Sequence, residues 1–186
     1  MDKDFVVVAN KYKFSDKNKE ELYSYIKEII ESTIFLKMGE IIHHLESRKM
    51  HVLEVCCYSY LKSLKNKKCN RRSLAIGSLL HDFFFYDWQK KGDFNFEDTD
   101  IKKNKVLPNN HGFSHHKIAY GNAVKYFPHL MDEIVKDIIL KHMWPLTVYT
   151  PKYRESWIVC SADKMCSIKD VKRNEIKKYL GLSRKK

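Results

Sequence analysis

His81 and Asp82 stand side by side inside the apolar run Ser78-Leu79-Leu80-His81-Asp82-Phe83-Phe84. Burying either group without a partner is costly, and the apolar residues on either side of the doublet cannot satisfy them. Whatever this chain folds into must therefore carry partners to that point from elsewhere. A divalent metal suits an imidazole and a carboxylate together. The rest of the chain supplies candidate ligands: His51 upstream, then His115, His142 and Asp163 downstream. The resulting order is His, His-Asp, His, His, Asp.

Gly and Pro are scarce, at 6 and 4 of 186 residues, which leaves few turns and argues against an extensive sheet. Residues 16–31 place Leu22, Tyr25, Ile26, Ile29 and Ile30 at helical spacing, with Ser15 or Asp16 to cap them. Further helices are predicted over 34–46, 49–65, 71–84 (carrying the doublet), 113–127, 130–143 and 151–167, with a last short one over 172–180. The segment 87–110, rich in Asp, Asn and Lys, reads as the one long irregular stretch, and such stretches often carry site lids. The fold class expected is all-α. Its length fits one domain with a sizeable core. The division expected is an N-terminal helical extension over 1–40, the main domain over 41–170, and a C-terminal helix with a basic tail over 171–186.

The 35 Lys and Arg against 23 Asp and Glu give a net charge of +12. Most of these cations are lysines dispersed among acids, so a solvated surface is favoured over nucleic acid as their purpose, although the field would draw an anionic substrate. No run reaches the ~20 apolar residues of a membrane span. Met1-Asp2-Lys3-Asp4 lacks the layout of a secretory signal, so the chain reads as cytoplasmic. Five cysteines without a CxxC pair read as reduced core residues.

The six donors sort by spacing. His81 and Asp82 lie about 100° apart on a helix, close enough to share an ion. His51 and Asp163, each on or beside another apolar stretch, complete a mixed nitrogen and oxygen set. His111 and His115 are four apart, and His142 precedes Trp144-Pro145. With Asp82 bridging, His115 and His142 can serve a second ion about 3.5–4 Å away. His116 and His129 are expected on the surface.

At this level of detail the chain resembles the HD-domain superfamily of metal-dependent phosphohydrolases. The segments His81-Asp82-Phe83-Phe84-Phe85-Tyr86-Asp87-Trp88, His111-Gly112-Phe113-Ser114-His115, Lys141-His142-Met143-Trp144-Pro145-Leu146 and Ser161-Ala162-Asp163-Lys164 are similar to those of small bacterial HD proteins, over about residues 41–170. The resemblance implies a single-domain helical bundle. It implies a first metal on His51, His81, Asp82 and Asp163, with His115 and His142 as the extra histidines of two-metal members. Phe85 stands where several phosphodiesterase branches carry lysine.

The function expected is hydrolysis of a small phosphate ester, a nucleotide being the first guess, with one or two divalent ions (iron, manganese, zinc or magnesium). Asp82 and Asp87 are the expected catalytic carboxylates. His111, Lys141 and Lys164 are expected near substrate. Two alternatives stay open: a di-iron HD oxygenase, and a non-catalytic nucleic-acid or regulatory module.

Overall fold

A computed structural model describes residues 1–40, 42–43, 46–85 and 111–179, with side chains described outside 39–47, 111–113 and 170–179. The class is all-α. Among the described residues the helices are α1 (Lys3–Lys11), α2 (Asp16–Ile30), α3 (Thr33–Leu36), α4 (Arg48–Ser63), α5 (Arg71–Leu80), α6 (His111–Tyr126), α7 (Glu133–Lys141) and α8 (Arg154–Tyr179). Short 3-10 turns follow α3 and α6, at Lys37–Glu40 and Pro128–Leu130. A two-residue antiparallel pair, β1 (Ile42–His43) with β2 (Glu46–Ser47), is the only extended pairing described. No described helix is long and apolar enough to cross a membrane.

Side-chain caps start the helices. Asp2, Ser15, Asn70 and Asp132 accept from the amides of Phe5, Asn18, Ser73 and Val135, satisfying N–H groups that a helix leaves open. The core is one cluster from Phe5 and Leu22 through Leu53, Tyr60, Leu79 and Phe83 to Ile139. A smaller one, Val55, Leu74, Ile138, Val159, Ala162 and Cys166, joins α4, α5, α7 and α8. Those four helices carry five of the six predicted donors on or directly after them.

Several predicted boundaries move. The helix expected over 34–46 stops at Leu36, tightens to a 3-10 turn and gives way to β1; Gly39 disfavours helix and β-branched Ile42 favours extended backbone. Helix α5 stops at Leu80, so the doublet follows the helix and is not inside it. The helix Lys3–Lys11, capped by Asp2 and burying Phe5, Val8 and Ala9, falls within the expected helical extension over 1–40 but ahead of the first helix predicted there. The two helices expected over 151–167 and 172–180 are one, α8, with no Gly or Pro between 152 and 180 to break it. The predicted irregular stretch 87–110 lies outside the described residues.

Four of the five cysteines are buried and Cys69 is half-buried. Burial pushes the thiols of Cys56 and Cys69 up to about 12, which suits core residues and not nucleophiles.

Candidate metal centre

The end of α5 explains why the doublet sits where it does. His81 is the C-cap, and its Nδ1 lies 2.7 Å from the Ser78 carbonyl oxygen, three residues back. A carbonyl only accepts, so Nδ1 carries the proton and donates. This uses up a carbonyl that the last helical turn leaves open and turns Nε2, with its lone pair, inward. The end of α7 repeats the device: His142 is the C-cap, and its Nδ1 donates to the Ile139 carbonyl at 2.8 Å. The two rings meet edge to face, 4.9 Å apart. Pinning one ring nitrogen to a backbone carbonyl is how metal-binding histidines are commonly oriented.

Helices α5 and α7 approach closely because Gly77 has no Cβ. One added there would lie 2.7 Å from Ile138 Cδ1 and 2.9 Å from its Cβ. Past Asp82, the backbone is held by two buried side chains. Arg48 Nη1 donates to the Phe84 carbonyl at 2.7 Å, and its guanidinium lies 3.7 Å over the Phe84 ring. Asn122 Nδ2 donates to the Phe83 carbonyl at 2.9 Å. These bonds tie the non-helical backbone just after Asp82 to α4 and α6.

The six predicted ligands then fall into two adjacent groups, each of two imidazoles and one carboxylate. In the first, His51 Nε2 lies 3.1 Å and His81 Nε2 3.7 Å from Asp163 Oδ1. In the second, His115 Nε2 and His142 Nε2 lie 3.4 and 3.6 Å from Asp82 Oδ1, and 3.0 Å from each other. The other Asp82 oxygen, Oδ2, is 3.8 Å from His81 Nε2, so this carboxylate presents one oxygen to each group. Two ligands held about 2.1 Å from one ion at 90–110° are separated by roughly 3.0–3.4 Å, close to the separations seen here. His81 Nε2 and Asp82 Oδ1 are buried without a hydrogen-bond partner. Orphaned buried acceptors at the centre of both groups fit a cation, and two buried His/Asp groups can therefore hold metal ions.

The electrostatics agree. Burial would raise the Asp82 carboxyl, but His81, His115 and His142 overcome it and hold the group well below the usual carboxylate range. Asp163 is likewise depressed against its burial, by His51 and His81. Burial lowers His142 to about 3, helped by His81 and His115. For His81 the two carboxylates outweigh burial and raise it. Without metal, the two carboxylates thus favour a proton on His81, and His142 stays a neutral donor.

The other candidates fare differently. Lys141 Nζ pairs with Asp137 Oδ1 at 2.6 Å. Lys164 Nζ donates to the carbonyls of His142 and Cys160, both at 3.2 Å. Each expected substrate lysine is thus engaged with the protein, and Lys164 fastens the end of α7 to α8. His111 begins α6, but its side chain lies outside the described residues, as do Asp87 and Trp88 altogether. His116, expected on the surface, is 2% exposed: adjacent positions on α6 turn about 100°, which carries it from the His115 side into the packed interior. Burial, with His115 and Lys117, lowers it to about 4. His129 is exposed as expected and pairs with Glu28 at 2.7 Å.

Arg48, Asn122 and Asp137 were missed. Asp137 accepts from the amides of Lys152 (2.8 Å) and Tyr153 (3.3 Å) and from Ser156 Oγ (2.7 Å), anchoring the start of α8 to α7. It lies in Ile134-Val135-Lys136-Asp137-Ile138-Ile139, the same signal, an acid within an apolar run, that singles out the doublet. No family model, curated protein or solved structure matches this chain.

Proposed function

We propose that this chain is an HD-type metal-dependent phosphohydrolase acting on a small phosphate ester, a nucleotide being the first class to test. The observation that carries the reading is the convergence of His51, His81 and Asp163 beside Asp82, His115 and His142, with Asp82 offering an oxygen to each group. Divalent ions bound in such groups supply Lewis acidity toward phosphoryl oxygens and lower the pKa of water to about 7.

His51, His81 and Asp163 hold one ion and Asp82, His115 and His142 the other. The Nδ1 bonds of His81 and His142 keep both rings from turning as substrate enters. Asp82, held ionised by three imidazoles, accepts a hydrogen bond from the attacking water and orients it. Each group brings one carboxylate, so two divalent ions leave net positive charge for a phosphate, and the +12 chain adds a field of the same sign.

The test begins with metal content by mass spectrometry on protein purified without chelator or metal-binding tag. About two equivalents are expected, with phosphate released from nucleotides and simple esters in the presence of that metal. Asp82→Ala should lose the second ion and the activity together. Absence of metal after reconstitution, or oxygen uptake in place of phosphate release, would overturn the reading.

A further inference from the structure

Of the ten large apolar side chains that stand exposed among the described residues, six lie between 146 and 168. Leu146 (50% exposed), Val148 (87%) and Tyr149 (59%) come from the segment before α8; Trp157 (40%), Met165 (41%) and Ile168 (51%) come from α8 itself. At 100° per residue, positions 157, 161, 165 and 168 fall within an arc of about 80°. That arc is opposite Val159, Ala162 and Cys166, which are buried against α4, α5 and α7. The 144–149 segment runs along the edge of the same stripe. Trp144 packs on Trp157 with ring centroids 4.9 Å apart, and its carbonyl accepts from Cys160 Sγ at 3.2 Å. Lys164 belongs to the stripe by position, but its ammonium is folded inward onto the His142 and Cys160 carbonyls. Arg154 lies on the same arc at the first turn of the helix, where its guanidinium donates to Asn66 Oδ1 at 3.2 Å.

We propose that the outer face of α8, with residues 144–149, is the contact surface of a twofold-symmetric dimer of this chain. The six side chains expose on the order of 700 Å² between them, above the ~300–600 Å² patch of a typical monomer. That is close to the ~800 Å² per partner that a stable interface buries. The stripe is also self-complementary. Two copies of α8 crossing antiparallel at Ser161 bring Trp157 of each copy toward Met165 of the other, as a twofold interface requires. Ser161 is small and exposed, which lets the helices approach to the 8–10 Å of ordinary helix packing.

Sedimentation velocity over a concentration series tests this directly. The 22.2 kDa chain is expected to sediment as a dimer at about 10 µM, and Met165→Glu and Val148→Glu to weaken association at least ~10-fold. Both positions are exposed, so thermal melts and metal content should match the parent chain and show that the variants fold. Ser161→Cys should form a disulfide-linked dimer under mild oxidation, since facing Cα atoms at such a crossing lie within the ~4.4–6.8 Å a disulfide spans. A parent chain that stays monomeric at about 100 µM, or Glu variants that associate as tightly as the parent, would overturn the proposal. So would a monomer that instead co-sediments with phosphatidylserine vesicles through Val148.

Discussion

Arg48 carries a charge into the interior of the molecule. It is 1% exposed, stacked on the Phe84 ring and bonded to the Phe84 carbonyl, three residues ahead of His51 on the same helix. Phe84 in turn packs against the His115 ring at 5.7 Å. One guanidinium therefore braces the backbone after Asp82 and, through Phe84, the imidazole that faces Asp82. Arg48→Met should cost about 2–4 kcal/mol, because a buried carbonyl loses its charged donor. It should also weaken binding in the Asp82 group by about 10–100-fold, as loss of supporting residues around metal ligands does. Arg48→Lys should recover less than half of that effect, since an ammonium cannot stack and donate in one plane. Calorimetric metal titration beside urea melts would check both effects; unchanged affinity in Arg48→Met would refute the role. His129→Ala is the matched control, as its exposed pair with Glu28 is worth at most about 1 kcal/mol. The ligands were legible because each is an ionisable residue in or beside an apolar stretch. Arg48 was not, because in Glu46-Ser47-Arg48-Lys49 it looks like any solvated helix start.

Among the elements, the decisive contact is between α5 and α7, whose ends carry His81 and His142. Spacing located both helices, but two features were hidden from it. One is that each histidine caps its helix from outside, a matter of where a ring nitrogen finds a carbonyl and not of periodicity. The other is Gly77, which in Ala75-Ile76-Gly77-Ser78-Leu79 reads only as a weak helix former. In place it admits Ile138, and the close atoms include the Ile138 Cβ at 2.9 Å, which cannot swing aside as a side-chain tip can. Gly77→Ala gains about 0.5–1 kcal/mol of helix propensity and loses about 1–3 kcal/mol to overpacking, for a net destabilisation. The helices must also part, which should spread His81 from His142 and weaken metal binding. Ile138→Ala alone should cost about 2–5 kcal/mol. Combined with Gly77→Ala it should cost clearly less than the sum, because the new methyl fills the space that Ile138 vacates. Strict additivity in denaturant melts would show that the approach at Gly77 does not set the helix spacing.

For the whole molecule, the question is what holds α4 and its His51 in place. Helix α1, which buries Phe5, Val8 and Ala9 at helical spacing, answers much of it. Lys49 Nζ meets Asp2 Oδ2 at 3.1 Å and Asp4 Oδ2 at 2.6 Å, and Lys11 Nζ meets Glu54 Oε1 at 2.5 Å. These pairs flank His51 on either side, at positions 49 and 54. Between them α1 and the turn after it bury Phe5, Val8, Ala9 and Phe14 in the same cluster as Leu53 and Leu79. Burying a large apolar side chain is worth about 1.5–3 kcal/mol. Losing Phe5, Val8 and Phe14 together should therefore remove roughly 5–9 kcal/mol from a domain whose total stability is typically 5–15 kcal/mol. A chain lacking residues 1–14 is accordingly expected to melt without a cooperative transition and to bind metal poorly, although every ligand is retained. Phe5→Ala, at about 3–5 kcal/mol, should still fold, melt earlier and keep its metal. Cooperative unfolding of the truncated chain at the parent temperature would mean that the core closes without α1, and that α4 is held by α5 and α8 alone.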